Sequence, residues 1–388
     1  MIAILRTDNN LTRQLITGMQ VFMIVWSLVL ISMVFTLDLS SMRQHLKRSD
    51  VINASKERRS PNPLQNGQED KIAKVIPGIE LQIPSPMRNE DAIQIVYASN
   101  NITSTSAHKQ SKGIVLLLHA CTHSALKFFS PSPSTCPNCL GLSEELRIVR
   151  IVIESGYMPV AVSSVDRKSG CWSTSRDIRR IEAVLKHGLI REFLTKEGSS
   201  IFAIGASSGG AFAAELSTRN MVHAALIMVM GLSDGVTGKL RTSPKPMYLA
   251  PMPRDKGTMK MVMNNQRDLK SVKEFIRLDT TSCGSLPMTT RYLLQRVPGM
   301  TADAGDELIS LLKKAGHIDS SNMMNVDPTR SEWRHIISPS NSTHWLNKFD
   351  LKPGCSPLAK ALHRAWAFHE YCSEAVVPAL RFFEQFQR

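Results

Sequence analysis

Beyond residue 75 the apolar positions fall into short runs, and the spacing inside each run predicts its element. Ile79-Glu80-Leu81-Gln82-Ile83 and Ala92-Ile93-Gln94-Ile95-Val96-Tyr97 alternate, as strands covered on one face do. Gly113–His119 and Pro159–Ser164 are unbroken apolar runs of strand length, which suits strands buried on both faces. Ser199–Ile204, Ala224–Met230 and Pro246–Ala250 read the same way. Between them, Leu142–Glu154, closed by Gly156, and Ser175–Leu194 carry apolar residues at helical spacing, and Ala211–Thr218 opens a third helix. Strand and helix alternating over about 140 residues predict an α/β fold, a mostly parallel sheet with helices on both faces.

From 256 to 350 that rhythm breaks. The stretch is richer in Met, Lys, Arg and Asn, with helical spacing near 267–277 and 304–315. It reads as a lid-like insertion over the sheet. Its methionines (259, 261, 263, 288, 300, 323 and 324) either present an adaptable apolar surface to ligands or pack the insertion's own core.

The N-terminal part is different again. Residues 15–37 contain no charge, and such a run spans about 35 Å as a helix, enough for a hydrocarbon core of about 30 Å. It is longer than a secretory signal's apolar core and ends Phe35-Thr36-Leu37-Asp38 without a small-residue cleavage site. Residues 1–14 are then a short tail, 15–37 a signal-anchor helix, 38–75 a flexible stalk and 76–388 the globular domain. Asn53, Asn101 and Asn341 each begin an Asn-x-Ser/Thr sequon beyond the span. A short N-terminus and downstream sequons together predict a single-pass protein of the endoplasmic reticulum or Golgi membrane, with its C-terminal domain in the lumen.

Composition adds two constraints. With 43% hydrophobic residues the chain can bury a large core, which excludes disorder for its bulk. The net charge of +14 raises nucleic acid as a partner. However, eight Lys/Arg against four Asp/Glu lie between 39 and 75, among Ser, Asn, Gln and Pro, so a solvated stalk accounts for part of the excess and no nucleic acid is expected.

The stretch richest in chemistry is Ile204-Gly205-Ala206-Ser207-Ser208-Gly209-Gly210-Ala211. It holds Gly-x-Ser-x-Gly directly after a buried strand and before an alanine-rich helix. Small residues two before and two after the serine are a steric requirement of a sharp strand-to-helix turn, which presents a nucleophile beside the helix N-terminus. Ser207 is the nucleophile in this frame. Ser208 would be one in the shifted frame from Ala206 to Gly210, where alanine suits the tight first position less well.

These residues resemble the α/β-hydrolase superfamily, over roughly 76–388. LLLHACTHS, CPNCLGLSEE, GCWS, GASSGG, PMPRD and FHEY, in that order, further resemble a little-characterised branch of eukaryotic α/β-hydrolase-like proteins from plants and algae. The resemblance implies the order Ser, acid, His along the chain and says little about substrate; the leading reading is a serine esterase, lipase or thioesterase working without cofactor or metal on a small-molecule or lipid ester. Asp255, ending Pro251-Met252-Pro253-Arg254-Asp255 after a strand, matches the usual acid; Asp234 after the preceding strand is the alternative. His369, just before the terminal amphipathic helix, matches the usual base, with His344 and His363 as alternatives. The interval from Asp255 to His369 is longer than the superfamily's habit, and the insertion accounts for it. The oxyanion donors implied are the N–H groups of Ser208 and of Cys121 in His119-Ala120-Cys121, where Ala120 stands in place of a frequent glycine. His119 reads as a structural hydrogen bonder.

Seven cysteines leave at least one thiol outside any intrachain pairing. Cys136-Pro137-Asn138-Cys139 and Cys171 are disulfide candidates in a luminal domain. A zinc site that also recruits Cys121 and His123, or free thiols, are the other readings, and sequence leaves the pairing open. A non-enzymatic α/β-hydrolase-like scaffold, keeping the turn for packing alone, is the rival to the enzyme reading.

Overall fold

The computed structural model describes residues 76–87, 90–98, 111–194, 199–337, 349, 351, 356–387. The expected membrane span, the stalk, the three sequons and His344 lie outside the described residues. Among the described residues no helix is long and apolar enough to cross a membrane.

Among the described residues eight strands form one sheet: β1 (Gly78–Ile83), β2 (Ile93–Ala98), β3 (Gly113–Leu118), β4 (Met158–Val162), β5 (Ser200–Ala206), β6 (Ala224–Met228), β7 (Met247–Ala250) and β8 (Ile276–Leu278). Their order is β1-β2-β4-β3-β5-β6-β7-β8. β1 and β2 form an antiparallel pair, β2 meets β4 antiparallel, and every later pairing is parallel. The sequence pattern explains the difference. Every residue of β3 and β4 is buried, so both faces are covered, whereas β1 leaves four of its six positions partly or fully open at the sheet's edge.

The helices are α1 (Ser143–Glu154), α2 (Thr174–Lys186), α3 (Gly188–Glu192), α4 (Ser208–Thr218), α5 (Asp234–Thr242), α6 (Lys256–Asp268), α7 (Thr290–Arg296), α8 (Ala302–Lys314), α9 (Trp333–Ile336), α10 (Pro357–Trp366) and α11 (Val376–Glu384). α1 packs with α11, and α2 with α4, each group against the sheet. The single helix expected over 175–194 is two, because His187 adopts an extended ψ of 135°. The helix expected near 267–277 begins earlier: the Asp255 carboxylate caps it at the Thr258 N–H, so α6 starts at Lys256.

This corrects the boundary of the insertion. Residues 256–278 continue the α/β alternation, since β8 pairs in parallel with β7, and the departure starts only after β8. From there the chain builds a second core around Met288, Leu293, Met300, Leu308, Met324, Trp333 and Leu362. These methionines fill that core, whereas Met261 and Met263 on α6 are exposed. The second core is fastened to the sheet domain by charge. Arg296 Nε lies 2.7 Å from Glu144 Oε1 on α1, and Arg296 and Arg364 both reach Glu374. A Cys283–Cys372 disulfide closes the same junction.

Candidate functional site

Parallel register brings the site together at the carboxyl ends of the central strands. Leu118, the last residue of β3, pairs with Gly205 in β5, so the loop after β3 and the turn after β5 are neighbours. At that turn Ser207 has φ 52° and ψ −122°, backbone geometry that costs a non-glycine residue of order 1–3 kcal/mol. Its N–H is held by the Met228 carbonyl at 3.0 Å. A Cβ on Gly205 would lie 2.2 Å from the Gly209 carbonyl oxygen, and one on Gly209 would lie 2.3 Å from the Leu118 oxygen. The Gly-x-Ser-x-Gly spacing is therefore a packing requirement of this turn. Ser208 faces elsewhere: its Oγ is buried and has no hydrogen-bond partner among the described residues.

The turn presents Ser207 Oγ to His369, with Nε2 at 3.1 Å. The other ring nitrogen, Nδ1, is 2.6 Å from Asp255 Oδ2. Assigning protons from this network, Nδ1–H donates to the carboxylate and Nε2 accepts from the serine hydroxyl. His369 sits just past α10, whose end is turned by Ala367 in the left-handed region, and itself has φ 44°. The His369 side chain is 42% exposed while that of Asp255 is 10% exposed, so the ring is open to solvent and its partner is screened. Burial pushes the Asp255 carboxyl upward. Hydrogen bonds from His369 and from the Thr258 hydroxyl and N–H, with the charge of His369, outweigh it and hold the group below its ordinary value.

The other acid candidate does not join this group. Asp234 lies exposed in the first turn of α5, where a carboxylate favours the helix dipole. His363 lies 3.8 Å from Glu370 instead of near Asp255.

Three backbone donors of the loop after β3 are taken. The Ala120 N–H donates to Tyr371 Oη at 2.8 Å, the Thr122 N–H to the Ser169 carbonyl, and the His123 N–H to the Ala120 carbonyl. The Cys121 N–H has no acceptor among the described residues. Ser208 is the first residue of α4, so its N–H has no intrahelical acceptor. Cys121, Ser207 and His369 line one cavity of about 280 Å³, with Lys360, Glu370 and Tyr371 in its wall. A larger hollow of about 380 Å³ lies at the opposite end of the sheet, beside the first residues of β5 and β6, and holds none of these groups.

Of the disulfide candidates, Cys136 is bonded to Cys139, and Cys171 is bonded to Cys121, which pins the loop. The other supports carried no sequence signal strong enough to find. The Trp172 indole N–H donates to the His119 carbonyl at 2.7 Å and its ring stacks on Phe212 of α4. His119 is the structural group expected: Nδ1 bonds the Ala120 carbonyl, and Nε2 accepts the Ser164 N–H at 2.9 Å. Complete burial pushes its imidazole down to about 3, with nearby cationic groups adding to the effect. Among the described residues no group of His, Cys, Asp and Glu is arranged to hold a metal ion.

No family model matches the chain, and no curated protein matches it. Similar solved structures include a thermostable esterase, at 13% identity and a TM-score of 0.36; 56% of this chain and 56% of that one are covered. This chain thus spans little more than half of that esterase's length. They also include an α/β serine hydrolase homologue from Coxiella burnetii, at 11% identity and a TM-score of 0.37, covering 54% of this chain and 88% of that one. A ferulic acid esterase is similar at 10% identity and a TM-score of 0.38, covering 54% and 92%.

Proposed function

We propose that this chain is a serine hydrolase acting on carboxylic esters, anchored by residues 15–37 in a membrane of the secretory pathway with residues 76–388 on the luminal side. The observation that carries the enzymatic part is the single ring of His369 between Ser207 Oγ and Asp255. Ser207 Oγ attacks the ester carbonyl carbon as its proton passes to His369 Nε2. Asp255 faces the imidazolium that forms. The developing oxyanion takes the N–H groups of Cys121 and Ser208. The C–O bond to the alcohol breaks as Nε2–H protonates that oxygen, leaving an acyl ester on Ser207. Water then repeats the sequence, releasing the acid and restoring the serine.

A fluorophosphonate probe on the detergent-solubilised full chain tests this. Labelling of wild type that disappears in Ser207→Ala is expected; no labelling of folded wild type would leave the scaffold reading instead. The luminal assignment is supported by the charge-free segment and by three disulfides among the described residues, since disulfides persist in oxidising compartments. Glycosidase treatment of protein made in eukaryotic cells should shift its mobility. Digestion of the domain by protease added outside sealed microsomes would overturn the topology.

A further inference from the structure

We propose that the Ser207 cavity takes short acyl groups esterified to hydroxyl-rich, uncharged alcohols, carbohydrate-type esters rather than long-chain lipids. This deepens the hydrolase reading and rests on it. The walls argue for it. Lys360 Nζ and Glu370 Oε2 are 2.9 Å apart with side chains only 13% and 5% exposed, and both line the cavity beside Ser207. His123, also in the wall, holds Glu145 at 2.9 Å, with side-chain exposures of 4% and 1%. A long acyl chain laid against these pairs would remove what water they retain and supply no hydrogen bond in return. The short apolar surface that remains comes from Ala120, Ala206 and Val229. It matches a methyl or similarly small acyl group.

Three of the methionines expected in the lid are committed elsewhere. Met288, Met300 and Met324 are buried in the second core. The cavity's volume of about 280 Å³ is at the small end for a ligand site.

The alcohol's character follows from charge balance. A carboxylate or phosphate drawn to Lys360 would also meet Glu370, 2.9 Å away, and an ammonium drawn to Glu370 would meet Lys360, so the pair gives neither charge a net attraction. Hydroxyl groups both donate and accept. They can join the Lys360–Glu370 pair and the Thr122 hydroxyl without breaking the existing contacts.

The test is an acyl series from acetyl to decanoyl on one fluorogenic phenol, run on the full chain, with active enzyme counted by fluorophosphonate labelling. The expected result is kcat/KM highest at acetyl and lower by about tenfold or more at octanoyl. Labelled enzyme that prefers octanoyl or decanoyl overturns the inference while the hydrolase reading stands; absence of labelling overturns both. A second comparison sets an acetylated methyl glucoside against butyl acetate. The sugar ester should win in wild type, and Lys360→Met, checked for folding by its melting temperature, should lower the sugar-to-alkyl ratio of kcat/KM about tenfold. An unchanged ratio in the folded variant, or a wild-type preference for butyl acetate, overturns the assignment of the alcohol.

Discussion

The Tyr371 hydroxyl accepts the Ala120 N–H at 2.8 Å and lies 3.5 Å from the Leu118 carbonyl, joining the segment that carries His369 to the loop that carries Cys121. Burial first, and the Glu145 charge after it, push the phenol well above its ordinary pKa, so the hydroxyl stays protonated. Tyr371 is thus a positioning residue. Tyr371→Phe keeps the ring contacts with Phe128 and removes only the hydroxyl, which accepts from the Ala120 N–H and donates to the Leu118 carbonyl. It should lower kcat by about 10- to 100-fold, below the loss from deleting an oxyanion donor outright. KM for an acetyl ester should change little, and steady-state kinetics reads the split.

Asp255 has two duties, capping α6 and orienting His369. Asp255→Asn preserves the cap acceptor but offers His369 an amide in place of a carboxylate. Activity should fall by roughly 10³- to 10⁴-fold while stability to urea changes by about 1 kcal/mol or less. A loss of stability as large as the loss of activity would contradict the division of roles.

Stability should depend on pH through His119. Its folded value of about 3 lies below the ordinary 6.5, so between those values the unfolded chain binds a proton the folded chain does not. Stability from this group is full above about 6.5 and falls as pH drops, by at most about 1.4 kcal/mol per pH unit. Asp255 acts lower: its depressed pKa gives stability present above 3.8 and lost as pH falls through the folded value. Melting temperature should therefore decline between pH 6.5 and 5, before the carboxylates titrate, and His119→Asn should flatten that part of the curve. His223, lowered chiefly by burial, accounts for a remaining slope.

The buried charges at the junction of the two cores should matter more than exposed ones. Glu144 and Arg296 are 1% and 3% exposed, and the Ser373 N–H also donates to Glu144 at 2.8 Å. Glu144→Ala leaves the buried Arg296 guanidinium with Glu374 alone and the Ser373 N–H without its acceptor, and should cost about 3 kcal/mol in chemical denaturation. Glu384→Ala breaks the Lys112 pair, 52% and 33% exposed at its two ends, along with a hydrogen bond from Tyr157, and should cost much less, about 1 kcal/mol.

The order of strands and helices was legible because it is local. Gly113–Leu118 cannot be half exposed with six apolar or small residues in a row, and Gly205 and Gly209 announce a turn that no larger residue could make. For the same reason Ser207, Asp255 and His369 could be singled out by their places relative to strand and helix ends, and the tertiary structure brings those three side chains together. What pattern could not carry was the set of contacts between positions far apart in the chain. Asp234 and Asp255 both follow strands, and only the packing of α10 against the sheet domain chooses which one meets His369, 114 positions beyond Asp255. Cys283 bonds Cys372 and Arg296 meets Glu144 because the chain returns there after building a second core, and no period of 2 or 3.6 residues records such a return. Hydrophobic periodicity reports which face of an element is buried. Which element covers it, and so which polar groups are left facing the cavity beside Ser207, is settled by long-range closure alone.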